Sequence, residues 1–289
     1  MKVALKISAL ILAVAFCAPH AIAKEKQALS IIAFDALTEL NKPVELHCKV
    51  ERKNLLRNDV RNANVTVTVN GAQIAKVVTD EQGTARTSYT PEELGTCTVA
   101  FECEEGTDYG KAAASSLLFC RDKTKPAIVI DIDHTIADIA MEKFIVTRTK
   151  DIKPLPGARE ALEDLSKTYD LIFLTARDKH LLHRTKEWLN LNRFPSAPVF
   201  FRDMSREAFS ESKFKTDKIA QIKATWSNVT CGIGDKLSDA QAYLANGLKT
   251  IIISPKEELP RQAHSVQHWQ QIKALLKDLP LSQKSKVDR

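Results

Sequence analysis

No Cys-x-x-Cys pair and no cysteine–histidine cluster with metal-ligand spacing occurs in the 289 residues, which argues against a zinc site. Blocks of basic residues interleaved with aromatics are missing too, so nucleic acid is not an expected partner. There is no internal repeat. The apolar stretch ISALILAVAFCA (7–18) is shorter than the roughly 20 residues a membrane helix needs. With Lys2 and Lys6 ahead of it and Ala21-Ile22-Ala23 behind, residues 1–23 read as a cleaved secretory signal, which predicts an exported protein, periplasmic or secreted, with no membrane span in the mature chain.

Charge of one sign is also in short supply. The chain carries 42 basic and 36 acidic residues; without Lys2 and Lys6 the balance falls to 40 against 36, a charge of +4. That is too mild to imply strong attraction to anionic surfaces. Hydrophobic residues make up 44% of the sequence, enough for a packed core. Beyond the leader stand Cys48, Cys97, Cys103, Cys120 and Cys231, and an exported chain permits them to pair. A hairpin of 95–103 with 112–120 sets Cys97 roughly opposite Cys120. Cys103 then reaches Cys48 on a facing strand and leaves Cys231 free.

The remaining chain has two grammars. VELHCKV (44–50), NVTVTVNG (64–71) and GTCTVAFEC (95–103) alternate apolar and polar residues, and Asn70-Gly71 is a hairpin signal. Residues 24–121 therefore read as an all-β, immunoglobulin-like sandwich, with nothing to say what it binds. After the polar, Pro-terminated RDKTKP (121–126), strands alternate with helices. Strands are predicted at 127–133, 170–175, 198–203, 229–234 and 249–254, and helices at 157–168, 178–192, 216–226, 238–246 and 265–279. Residues 122–280 thus read as an α/β domain, a Rossmann-like parallel sheet with helices on both faces, and 281–289 as a loose tail.

Ligands in such folds bind beyond the carboxyl ends of the strands. IVIDIDHTIAD (128–138) ends an apolar strand in Asp131 and Asp133, which two-residue spacing puts on one side. GIGDKLSDA (232–240) brings Asp235 and Asp239 to another strand end. Carboxylates converging without thiols or imidazoles suit a hard cation such as Mg²⁺. LIFLTAR (171–177) supplies Thr175 and the N–H groups of the next helix, both suited to phosphate. SKFKTDKIAQI (212–222) supplies Lys215 as a counter-charge, with Lys218 as the competing choice.

As a set, DIDHT, LTAR, FK and GDKLSD resemble the four motifs of the haloacid dehalogenase (HAD) superfamily of phosphohydrolases, over about residues 127–260. The resemblance implies a nucleophile at Asp131 and a general acid/base at Asp133, whose backbone carbonyl also reaches Mg²⁺. It implies phosphoryl contacts from Thr175 and Lys215, and metal binding by Asp235 with Asp239 as ligand or neighbour. Arg177 and Arg148 are further candidates for anionic groups on the substrate. The gaps between motifs leave no room for a cap domain, and residues 137–152 form a flap. Among uncapped members, KPLPGAREAL, LTARDKHLLHRTKEWL and APVFFRD look most similar to lipin-type phosphatidate phosphatase domains. The implied substrate is then a lipid phosphate. A soluble or protein-bound phosphate is the alternative, and a non-catalytic lipid-phosphate binding module is the third reading.

Overall fold

A computed structural model describes residues 26–205 and 210–278. The predicted leader (1–23) and tail (281–289) lie outside the described residues. The all-β part holds β1 (Leu29–Ala33), β2 (Ala36–Glu39), β3 (Val44–Arg52), β4 (Asn64–Val69), β5 (Ala72–Val78), β6 (Thr84–Tyr89), β7 (Gly95–Cys103) and β8 (Ala112–Arg121). One sheet runs β1-β3-β6 and the other β2-β8-β7-β4-β5. Period-two alternation creates the layer between them: Val65, Val67 and Val69 of β4 meet Val99, Phe101 and Cys103 of β7 in one core with Leu46, Cys48 and Val50 of β3. Asn70 and Gly71 both have positive φ, 49° and 85°, the backbone that a two-residue hairpin between right-twisted strands demands.

The five cysteines are all unbridged thiols. Cys97 lies opposite Leu118 and Cys120 opposite Gly95, so the expected direct pair is in fact diagonal, two residues out of register. Burial pushes the Cys48 thiol up to about 12, and neighbouring Cys103 adds to the shift.

The α/β part holds β9 (Ala127–Ile130), α1 (Met141–Val146), α2 (Ala158–Leu165), β10 (Asp170–Asp178), α3 (Leu182–Leu191), β11 (Val199–Arg202), α4 (Glu211–Thr225), β12 (Val229–Gly234), α5 (Leu237–Ala245), β13 (Lys249–Ile253), β14 (Ala263–Val266) and α6 (Trp269–Asp278). Its sheet runs β11-β10-β9-β12-β13-β14, and every pair in it is parallel. The chain moves outward from β9 in one direction, then returns to β9's other side with β12, so β9/β12 is the switch point where loops diverge and leave a crevice. All four β9 side chains are buried, which is why that strand reads as an unbroken apolar run. One expectation fails here. Residues 265 and 266, predicted as the start of a helix, belong to the edge strand β14, because the free edge of β13 offers backbone partners from Thr250 to Ile253.

Buried polar groups join the two parts. The Asp35 carboxylate, between β1 and β2, accepts from the N–H of Leu117 on β8 at 2.9 Å and of Val199 on β11 at 3.2 Å, and pairs with Lys186 of α3. Glu51 of β3, 3% exposed, meets Nε2 of His180 at 2.8 Å, and the other ring nitrogen of His180 meets Asp178.

Candidate active site

The strand β9 ends at Ile130, before the acids, so Asp131 and Asp133 stand on a turning loop. Strand geometry does not hold them on one side, and their carboxylates take different partners. Asp131, 2% exposed, receives Lys215 at 2.7 Å and the Thr135 hydroxyl at 3.3 Å. Asp133 turns to Arg177 and Thr175. The loop is held by short local bonds: Ile136 and Ala137 N–H groups both donate to the Ile132 carbonyl, and His134 takes the left-handed region with φ 54°. The buried Trp269 indole donates to the Thr135 carbonyl at 2.7 Å and anchors the loop from α6.

β12 delivers Asp235 just beyond its last residue, and α5 delivers Asp239 from its first turn. Asp239 is fully buried and accepts from the N–H groups of Asp235 at 3.1 Å and Lys236 at 3.3 Å, so one carboxylate oxygen caps its own helix. Its other oxygen binds Lys215. The close fit depends on glycine: a Cβ on Gly234 would lie 2.5 Å from the Asp239 carboxylate, and one on Gly232 would lie 2.3 Å from the Tyr243 ring. The GIG of the fourth motif is therefore a packing requirement of the acidic cluster.

Lys215 enters from α4 and is completely buried, touching Asp131, Asp239 and Glu211. Desolvation would strip its proton, but Asp131 and Asp239 overcome that and hold it well above the usual lysine range. One lysine is too little for this much negative charge. Burial pushes Asp131 well up; Lys215 opposes, and Asp239, Asp133 and Asp235 reinforce the rise. Burial, with Asp239 beside it, pushes Asp235 up to about 7. Lys218, the competing lysine, lines a different cavity and lies over the Phe214 ring.

Oxygens of Asp131, Asp235 and Asp239 all fall within 4.8 Å of one another, and the buried Oδ1 of Asp235 has no hydrogen-bond partner. An orphaned carboxylate oxygen among raised acids, with no soft donor present, fits a hard divalent cation. The Asp133 carboxylate stands outside this group, as suits a residue expected to reach the ion through its backbone carbonyl.

The largest correction concerns Arg177. It is fully buried, and its Nε and Nη2 grip Asp133 at 2.8–3.2 Å. Nη1 donates to Thr185 at 3.0 Å, and the guanidinium lies 3.6 Å over the Phe144 ring of α1. These donors are turned to Asp133 and Thr185, and Arg177 does not line the cavity above the site. Arg148 is also excluded from the site: it is an exposed side chain paired with Asp151. Thr175 is fully buried, and its hydroxyl lies 3.4 Å from Asp133 and accepts from the N–H of Arg177.

Above these groups lies a cavity of about 580 Å³, reached by Asp133, His134, Asp235, Lys236, Glu211 and Arg202 and walled by Met141, Leu155 and Ile253. Sequence reasoning missed Glu211, Lys236 and Arg202. Glu211 stands one helical turn before Lys215, and Lys236 sits inside the fourth motif, so both carried a usable signal. Arg202 ends β11 and carried only its position at a strand end. The flap spans α1 and a 3-10 turn at Thr149–Asp151; Phe144 packs inward, while Ile145 and Val146 are 57% and 82% exposed.

Residues 128–254 match the family described as PITM 1-3, LNS2 domain. A protein of Halalkalibacterium halodurans named as a nucleotidase is 28% identical over 138 residues, 46% of this chain, which spans 64% of that relative's length. A haloacid dehalogenase-like hydrolase of Streptococcus pneumoniae aligns at 15% identity and TM-score 0.41, over 54% of this chain and all of that one. A CARDB domain from Pyrococcus furiosus aligns at 19% identity and TM-score 0.26, over 33% of this chain and 96% of its own. Motifs at successive strand ends and the family match over the same residues converge: the second half of this chain resembles the HAD-superfamily phosphohydrolases, in their lipin-like LNS2 form.

Proposed function

We propose that the protein is an exported, Mg²⁺-dependent phosphomonoesterase that works through an aspartyl-phosphate on Asp131. The observation that carries this reading is the juxtaposition of a buried Asp131 and Lys215 with the orphaned oxygen of Asp235, under a cavity that Asp133 reaches.

Asp131 attacks phosphorus as the ester P–O bond breaks, and Asp133 gives its proton to the departing oxygen. Asp133 then takes a proton from the water that hydrolyses the acyl-phosphate, which releases phosphate and restores both carboxyl groups. Splitting one displacement into two suits a carboxylate nucleophile. Proton transfer by a placed group contributes on the order of 10²–10⁴-fold. Lys215, beside Asp131, meets the negative charge of the transferring group, and Thr175 is the further hydroxyl near this centre. Asp131 and Asp235 would hold Mg²⁺, with Asp239 beside them as ligand or neighbour. When bound, the ion supplies positive charge that lets the nucleophile stay ionised beside a dianionic phosphate.

A lipid phosphate such as phosphatidate is the substrate this reading prefers. The LNS2 match supports it, and so do the exposed Ile145 and Val146 on the flap, an apolar edge suited to a membrane surface. A soluble phosphomonoester is the second reading, supported by the walled cavity of about 580 Å³ and by the relative named as a nucleotidase. The test is phosphate release from phosphatidate vesicles, phosphoinositides, nucleoside monophosphates and phosphopeptides, with Mg²⁺ and with EDTA. Turnover confined to vesicles supports the lipid reading, and turnover confined to nucleotides the soluble one. No turnover of any phosphomonoester with Mg²⁺ overturns the enzyme reading in favour of a binding module.

A further inference from the structure

We infer that Arg177 is a positioning residue that fixes the orientation of the Asp133 carboxyl; this rests on the acid/base role proposed above for Asp133. The grip takes in both oxygens. Oδ1 accepts from Nη2 at 2.8 Å and from Nε at 3.2 Å. Oδ2 accepts from Nε at 3.1 Å and from the Thr175 hydroxyl at 3.4 Å. The plane and the angle of the Asp133 carboxyl are thus set by one fully buried guanidinium. Bidentate arginine contacts fix a carboxylate in angle as well as in distance, which a lysine point charge does not.

Arg177 is itself fixed from behind. Thr185 of α3 accepts from Nη1, and the Phe144 ring covers the guanidinium face. α1 is pinned in turn: Arg184 donates to the Ile145 carbonyl at 2.8 Å and to the Thr147 carbonyl, and its guanidinium lies 4.7 Å over the same Phe144 ring. Asp133 is therefore oriented by a rigid stack that runs through α1, Arg177 and α3. An oxygen displaced by even 1 Å from a departing ester oxygen loses much of its value as an acid. Arg177 keeps its own protons throughout. The proton that moves goes from Asp133 to the ester oxygen as the P–O bond breaks.

The test exploits leaving-group chemistry. An alkyl alkoxide needs a proton to depart, whereas p-nitrophenolate does not. With the full chain and Mg²⁺, kcat/KM is measured on an alkyl monophosphate and on p-nitrophenyl phosphate for the wild type, Asp133→Asn and Arg177→Lys. Both variants are expected to lose on the order of 10²-fold on the alkyl ester and less than about threefold on p-nitrophenyl phosphate. A loss in Arg177→Lys that is equal on both substrates, or absent on both, overturns the inference. If Asp133→Asn shows no such discrimination, it is the acid role of Asp133 that fails. Should Arg177→Lys not fold, Thr185→Val decides: it removes only the outer acceptor and is expected to show the same discrimination at smaller size, and an equal loss on both esters refutes the inference.

Discussion

The contact between Glu51 and His180 makes stability depend on pH in a calculable way. Hydrogen bonds to the carboxylates of Asp178 and Glu51 push His180 up to about 9, against the opposing effect of burial. The group is protonated in the folded protein at pH values where the unfolded chain, near 6.5, has released its proton. Its stabilisation is therefore complete below about pH 6.5 and is lost as pH rises through about 9. At about 1.36 kcal/mol per pKa unit the ceiling is roughly 3 kcal/mol. The His180 side chain is 24% exposed, and solvent screening reduces the expectation to about 1–2 kcal/mol. Urea unfolding of wild type and His180→Gln at pH 6, 7.5, 9 and 9.5 measures it. The wild type is expected to be more stable at pH 6 by about 1–2 kcal/mol, with the two curves converging above pH 9. Parallel curves across that range would show that the pair contributes no protonation-linked stability. Because Glu51 lies on β3 and His180 follows Arg177 by three residues, the same contact ties the β part to the end of β10, which carries Arg177.

Four further outcomes are expected. Asp131→Asn folds but keeps no more than a few per cent of phosphatase activity; greater activity would remove it as nucleophile. Lys215→Met leaves Asp131 and Asp239 buried without their lysine and destabilises by about 3–5 kcal/mol, read by denaturant melts. Millimolar Mg²⁺ returns part of that loss if the cation uses the cluster, since a ligand that binds only the folded state stabilises it. Gly234→Ala drives a methyl group against Asp239 and costs about 1–3 kcal/mol together with most of the activity; a variant as stable and active as wild type contradicts the packing described. The four β-part cysteines, thiols in this structure, are expected to pair as Cys48 with Cys103 and Cys97 with Cys120 under oxidising conditions, with Cys231 alone; non-reducing peptide mapping that finds Cys231 in a bridge would refute that pairing.

The sequence by itself determined the layout. Strands buried on both faces announce themselves as apolar runs, as β9 and β13 do, and half-buried strands as alternation, as β4 and β7 do. Once the strands are in place, the positions of Asp131 and Asp235 just past their strands, and of Thr175 in the C-terminal half of β10, follow, because a parallel sheet puts every carboxyl end on one edge. Local pattern carries that information, so it is legible without coordinates. The tertiary structure alone decided which partner each charged side chain takes. Asp131 and Asp133 are two residues apart, yet one pairs with a lysine 84 residues away and the other with an arginine 44 residues away. Arg177 looked like a phosphate ligand from its motif and is a buried support for Asp133. The last two residues of β14 looked like helix and are strand, because the edge of β13 was open to them. Long side chains choose among several neighbours by burial, charge and angle at once, and those neighbours come from distant parts of the chain that no local pattern records.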